Sequence, residues 1–412
     1  MDDENARCAH DGEECAQLSL LCLPVEMFLH ICSFLDASTL VHGLSLVCKQ
    51  FYLILKDDNL LWKARIDLIL PNASYSLLCP ERPDKLFWKL SCVAIAKQTA
   101  LFEKPQNSME KLLIEFPLPL ARDAATSVLL MPVDGITYLV GTKDHSLFYK
   151  KLSYREEPFY EDVNIKYLKY ATLGCLTAID HTIYNGCSDN TVKSWVLTNT
   201  GLVHDRTYEI KCNEFNKLRD VSSCPERAFF ATGTSLGTIY VFDSRSSNKP
   251  IYQYRPHTEY MTKLAMNTEY ILSASRDKTV SVWDQRAGRT IKSITIPDKA
   301  IPMYINMRRD LVCVGDNKKK LHMLDPKNDF ELVKSYSTKH TGHITGVRLT
   351  HGCLITSSWD GTVRISSPTD PPKPITTLRS SMKYIRRMDY LNDTLAIAGP
   401  SVVVWRPRNR RV

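Results

Sequence analysis

Seven recurrences of one strand pattern, an apolar stretch with helical spacing ahead of them, and an ordinary charge balance predict an α plus all-β chain. It reads as a small helical module and a helical linker followed by a seven-bladed β-propeller. The pattern is clearest at residues 273–286, SASRDKTVSVWDQR, where small polar residues and an Arg-Asp turn lead into an alternating strand closed by Trp-Asp. Aligned on that strand, the column of Trp283 holds Lys150, Trp195, Phe242, Trp283, Leu324, Ser366 and Trp405, in steps of 39–47 residues. A period of about 40–45 residues with a turn and an alternating strand is what four-stranded blades produce.

The letters of the unit follow from its physics. Asp277 suits a tight turn because its carboxylate can bond local backbone amides. Val280 and Val282 alternate with polar positions, as a strand packed between sheets must. Trp283 supplies a large buried area and one N–H that needs a partner. These repeats resemble the WD-repeat family. The resemblance implies a hydrogen-bonded structural tetrad of His257, Ser273, Asp277 and Trp283. In repeat six it implies His343, Thr356 and Asp360, with Ser366 in the place of the Trp. Elsewhere the pattern is degenerate, with Leu236, Lys318 and Gly399 replacing the turn Asp. Asp277 beside Arg276 is therefore read as architecture rather than chemistry.

Closure is readable as well. After Trp405 only RPRNRRV remains, too short and basic for a fourth strand, while KLLIEFPLPL at 111–120 is an apolar strand without a blade. Residues 111–120 are expected to pair with the last blade through Leu112–Pro117, which removes the exposed sheet edge. The tail arginines Arg406, Arg408, Arg410 and Arg411 would form a charged rim.

The chain has 412 residues, 44% hydrophobic and 24% charged, with a net charge of +8. That permits an anionic partner, but the positive charge is dispersed, which argues against nucleic acid. Thirteen cysteines without a Cys-x-x-Cys pair argue against zinc ribbons and redox pairs and for buried thiols in a reducing compartment. The apolar stretch 16–35 follows acidic residues and is interrupted by Pro24, Glu26 and His30, so neither a signal peptide nor a membrane span is expected. The expected location is intracellular, in cytoplasm, nucleus or both, and the sequons at Asn72 and Asn392 are then incidental.

Residues 1–17 are acidic and lack aliphatics other than alanine, so disorder is expected there. Residues 18–64 form the helical module. Pro24 and Glu26 suit a helix start, with Phe28, Ile31, Cys32 and Leu35 on one face. Asp36 can cap a second helix, a third runs through Phe51 and Leu55, and Asp58 or Asn59 can cap a turn bearing Leu61 and Trp62. So thin a core cannot bury all this apolar surface, and some of it should face a partner. Leu23-Pro24-x-Glu26, Ile31, Phe34-Leu35-Asp36, Leu40, Val47-Cys48-Lys49 and Leu61-Trp62 resemble the F-box. The resemblance implies docking on the adaptor of SCF-type ubiquitin ligases, the S-phase kinase-associated protein, and through it on a cullin. The implied contact residues are Leu23, Pro24, Ile31, Leu35, Leu40, Val47, Cys48, Phe51, Leu61 and Trp62. Residues 65–110 form the linker, with breaks at Pro80 and Pro83 and a helix opening at Asp84, packed between the modules. Residues 111–412 form the propeller.

Propellers bind ligands on one rim of their channel. One column expected there precedes the turn Asp and includes Lys143, Arg276 and Trp359. The other starts each first strand and includes Arg219, Thr262, Arg348 and Arg386. The resemblance to F-box/WD-repeat proteins implies that arginines in these columns grip acidic or phosphorylated segments, and guanidinium forks suit such oxyanions. Trp359 is expected to stack on an apolar substrate residue. Taken together, these readings describe the substrate-recognition subunit of a ubiquitin ligase. The alternative is a non-catalytic WD-repeat scaffold acting outside ubiquitination. No convergent carboxylate pair, nucleophile–base set, phosphate loop, dinucleotide motif, metal set or cofactor motif is present in the sequence, which argues against an enzyme.

Overall fold

The computed structural model describes residues 23–57, 59–70, 86–114, 116, 124–143, 146–152, 164–167, 172–198, 201–210, 216–308 and 311–408. The acidic stretch 1–17, Asp58, Pro80, Pro83, Asp84, Arg410 and Arg411 lie outside the described residues. The described residues fall into two compact units, one within 1–69 and 82–93, the other within 70–81 and 94–412.

In the first unit, helix α1 (Val25–Phe34) starts directly after Pro24, whose ring is preset for a helix entry. Asp36 caps α2 (Ala37–His42), accepting from the Thr39 backbone N–H at 2.8 Å. Helices α3 (Lys49–Asp57) and α4 (Asn59–Ile69) complete the bundle, so Leu61 and Trp62 open an 11-residue helix rather than a capped turn. Phe28 stacks on Phe51 with centroids 4.4 Å apart, and the Trp62 indole N–H donates to the Leu55 carbonyl at 3.0 Å. Arg65 of α4 reaches back to α1, donating to the Cys32 carbonyl at 2.6 Å and to that of Leu35. Those carbonyls lie at the end of the helix, where that of Cys32 otherwise accepts only from the capping Leu35 N–H at 3.2 Å. One buried guanidinium therefore caps α1 and fixes α4 against it. Helix α5 (Phe87–Glu103) contributes residues 87–93 to this unit and 94–103 to the other.

The second unit contains seven four-stranded antiparallel sheets. Six are sequential, at residues 125–167, 172–209, 218–254, 261–295, 302–337 and 344–379. The seventh joins three strands within 387–407 to strand Met109–Ile114, which pairs from Met109↔Pro407 to Ile114↔Val402. The closing strand thus begins three residues before Leu112, and the expected stretch beyond Ile114, apart from Phe116, lies outside the described residues. The two described tail arginines do not form a free rim. Arg406 is buried and paired with Glu110, and Arg408 donates to the Met109 carbonyl at 3.0 Å. Both fasten the strand that closes the ring.

Apolar side chains fill the spaces between neighbouring blades, as between the second and third, where Phe230 and Phe242 stack 4.9 Å apart beside Tyr184 and Tyr208. In the second to sixth blades the turn after the second strand takes a left-handed residue. Gly237 and Gly361 supply it, and Asn190, Lys278 and Lys319 adopt it at φ 63°, 71° and 68°. At Gly361 a Cβ would lie 2.4 Å from the Met382 carbonyl oxygen, so glycine is required there.

Candidate functional site

The channel mouth is built by a repeated bulge. Near the start of its first strand, each of five blades sets two residues against one of the neighbouring strand, and the extra residues are Thr126, Arg219, Thr262, Met303 and Thr345. A bulge twists the strand and re-aims a side chain. Thr126, Thr262, Met303 and Thr345, with Trp359, Arg386 and Arg387, line a hollow of about 370 Å³. Its lining contains two arginines and no carboxylate.

The structural tetrad is present in part. His257 Nδ1 lies 3.0 Å from Asp277 Oδ2, and Nε2 lies 2.8 Å from Ser273 Oγ. Thr279, not Trp283, completes the set, with its hydroxyl 3.1 Å from His257 Nδ1. The Trp283 N–H has no hydrogen-bond partner, and its ring stacks on Tyr254 at 3.7 Å. In the sixth blade the histidine is His340, not His343: its Nδ1 is 3.2 Å from Asp360 and its Nε2 is 3.0 Å from Thr356 Oγ1. The backbone shows why. Arg276 N–H donates to Tyr260 and Trp359 N–H to His343, so His343 occupies the Tyr260 position, three residues beyond the tetrad histidine.

Burial holds both imidazoles below the ordinary histidine value, against the pull of Asp277 and Asp360. Burial would raise the two carboxyls, but bonds from Thr279 and Thr362, further backbone bonds and the neighbouring imidazoles together hold them below the carboxylate range. The fold therefore binds fewer protons here than the unfolded chain, and stability must fall with pH. The histidine contribution is complete above about pH 6.5 and declines as pH falls through that value; the aspartate contribution declines below about pH 4. The melting temperature is expected to drop between pH 7.5 and 5.5, and a His257→Gln/His340→Gln chain to start lower and drop less. A wild-type melting temperature that is flat across that interval would contradict the assignment.

The expected rim residues divide. Arg219 and Arg276 are exposed and flank one ring, their guanidiniums 4.7 and 5.4 Å from the Tyr260 centroid, with Arg276 3.7 Å from Glu259. Arg386 lies 5.5 Å over Tyr384 and lines the mouth. Trp359 stands beside it, but His343 and Tyr384 stack on it from the loops on either side, at 5.1 and 4.4 Å. Trp359 is thus a fixed post offering its edge and N–H rather than an open face for stacking. Lys143 is not on the rim: it is 1% exposed, with its ammonium 4.3 Å from the Phe116 ring. Arg348 is not there either. The decoy Gly342-His343 shifts the reading of its strand by three residues, so Thr345 holds the mouth position while Arg348 lies deeper in the channel, paired with Asp389.

A Ser-His-Asp set that the sequence reading missed occurs in the fifth blade, with His322 2.8 Å from Ser335 Oγ and 3.1 Å from Asp316. It spans strands within one sheet, and His322 and Asp316 are fully buried. A nucleophile set would need a site for a reacting atom beside an oxyanion donor, and these side chains line neither the mouth nor the channel. It is a cross-strand polar clasp. Among the described residues no group of three or more His, Cys, Asp or Glu could hold a metal ion, and no helix is long and apolar enough to cross a membrane.

The helical unit sorts its expected contact residues in the same way. Leu40, Phe51, Leu61 and Trp62 are buried in its core and cannot touch a partner directly. Leu23, Leu35 and Cys48 are half-buried and Pro24 is exposed. Ile31 and Val47 are exposed, and the unit adds three residues outside the expected contact set: Met27, the motif residue Phe34 at 76% and Leu46 at 74%. Met27, Ile31 and Phe34 lie at i, i+4 and i+7 and form one stripe along α1.

Comparisons with known proteins follow this division. The F-box-like family model matches residues 20–66, and the WD domain, G-beta repeat model matches residues 248–284 and 331–365. The chain is 28% identical to F-box/WD repeat-containing protein 9 of Homo sapiens and of Bos taurus, over 97% of this chain and 85% of each relative. Ribosome biogenesis protein YTM1 of Candida albicans is 29% identical over only 34% of this chain and 32% of its own length. A chain in the crystal structure of the mitotic checkpoint complex shares the fold, with a TM-score of 0.59 at 12% identity over 72% of this chain and 93% of that one. A stray set of blades would match only blades; here the similarity runs through the helical segment as well as the ring, so the chain is similar to F-box/WD-repeat proteins in both of its parts.

Proposed function

We propose that the protein is the substrate-recognition subunit of an SCF-type ubiquitin ligase. Its helical unit docks on the S-phase kinase-associated adaptor, and through it on a cullin, while the propeller mouth holds the target. The observation that carries this reading is the α1 stripe of Met27, Ile31 and Phe34 with Leu46 and Val47, exposed beside a filled core in an F-box-like segment. An aliphatic and aromatic face of this kind suits a partner helix surface. The subunit breaks and forms no bonds. Its contribution is proximity, raising the effective concentration of target lysines near the ubiquitin carrier. Arg386 and Trp359 at the mouth, with Arg219 and Arg276 exposed around Tyr260, give donors for an acidic or phosphorylated target segment. The thirteen scattered cysteines suit a reducing interior such as cytoplasm or nucleus.

The test is co-purification with the adaptor. The intact chain is expected to capture it in equal amount, and Phe34→Asp/Val47→Asp to weaken capture by about a hundredfold, since two desolvated apolar contacts become charges. Unchanged circular dichroism shows that this exposed pair leaves the fold intact. A folded intact chain that captures no adaptor sinks the ligase reading and leaves a WD-repeat scaffold.

A further inference from the structure

Beneath the mouth, the channel encloses a second hollow of about 290 Å³ whose charged lining is Asp220, Asp389, Lys263, Arg348 and Arg387. Three cations face two carboxylates, and the carboxylates are already occupied. Asp220, 1% exposed, accepts from the Leu264 N–H at 2.8 Å and from Lys263 at 2.8 and 3.1 Å. Arg387, on the seventh blade, reaches the same carboxylate only at 3.4 Å. Asp389 accepts from the Leu130 N–H at 2.7 Å, from the Tyr390 N–H at 2.9 Å and from Arg348. Each arginine has five N–H donors and the lysine three, so the cationic donors outnumber what the two carboxylates accept. The Arg348 Nε is shielded from solvent and has no partner.

A channel space with cationic donors in excess of its carboxylates and one surplus positive charge favours an acceptor-rich anion. Arg387 lines both this hollow and the mouth above it, so an ion entering from the mouth meets it first. Lys263 and Arg387 already converge on one oxygen, Asp220 Oδ1, which shows that both can address a single small ligand. We propose that the channel binds a small oxyanion of the inorganic phosphate class on Arg387, Lys263 and Arg348. The release of Arg387 is favoured because Asp220 keeps Lys263 and the Leu264 N–H. The ion would tie the first strands of the fourth, sixth and seventh blades together from within. This site is independent of adaptor docking, and neither reading stands or falls with the other.

The test is calorimetric titration of inorganic phosphate into the chloride-equilibrated full chain at constant ionic strength. Diffraction from crystals soaked in tungstate then locates the ion. Saturable binding is expected, with anomalous density on the channel axis. Arg387→Gln and Arg348→Gln are each expected to weaken binding by about tenfold to a hundredfold, the loss of one or two charge-assisted bonds. Lys334→Gln, on an outer strand, should bind like the parent. Should Arg348→Gln fail to fold because Asp389 loses its partner, Arg387→Gln carries the test. No saturable binding to the parent, binding indifferent to Arg387→Gln, or tungstate found only outside the channel overturns the proposal in favour of a water-filled channel.

Discussion

Replacing Asp389 by alanine is expected to lower the stability of the propeller by about 3–5 kcal/mol, the range for breaking a buried, hydrogen-bonded charge pair from one side. The carboxylate joins three blades: its own, the sixth through Arg348, and the first through the Leu130 N–H at 2.7 Å. Alanine leaves a guanidinium and an amide without acceptors inside the channel, and an orphaned buried donor loses its desolvation energy without return. Asp389→Asn keeps an oxygen for Leu130 but not the charge, and should cost less, about 1–3 kcal/mol. The site sits at the joint that strand Met109–Ile114 also closes, so its loss weakens a place where distant parts of the chain meet. Urea unfolding followed by circular dichroism decides it through the transition midpoint. A midpoint for Asp389→Ala indistinguishable from that of the parent would show that the ring does not depend on this contact.

The blade count was legible because each third strand carries its own turn and alternation, and seven such strands at one period leave little freedom. The first strands were not legible in the same way. Where the bulge occurs it inserts one residue and reverses the alternation, so Arg219 lies exposed against Tyr260 while Asp220, the next residue, lines the channel. Parity along the sequence fails at that point. Asp220 and Lys263, each just past a bulge, were missed for this reason. In the helical unit the letters named an apolar set but could not divide it. Leu40 and Val47 both fit the motif, yet one is fully buried and the other is 68% exposed. The division depends on Phe28 stacking on Phe51 and on Arg65 reaching α1, a contact between residues more than thirty apart with no local signal. Lys143 misled in the opposite sense. The turn column predicted exposure, and an aromatic ring from the segment before the first blade covers the side chain.

The sharpest separation between letter and place is at His340 and His343, and the two should respond differently to alanine. His340 is nearly buried and bonds Asp360, Thr362 and Thr356 at 3.0–3.2 Å. Its removal leaves a cavity and a buried threonine hydroxyl short of a partner, a loss of about 2–4 kcal/mol. Asp360 would keep the amides of Thr341 and Thr362, which holds the loss below that of a bare buried carboxylate. His343 is half-buried and bonds no side chain; it gives up one stacking contact with Trp359, about 0.5–1.5 kcal/mol. Urea midpoints of the two alanine chains should therefore differ clearly, with His340→Ala the less stable. Equal midpoints, or the reverse order, would return the structural role to the Gly-His pair. The register of the sixth blade would then move by three residues, and Arg348 would come back to the mouth. The same measurement thus tests where the cations of this channel stand.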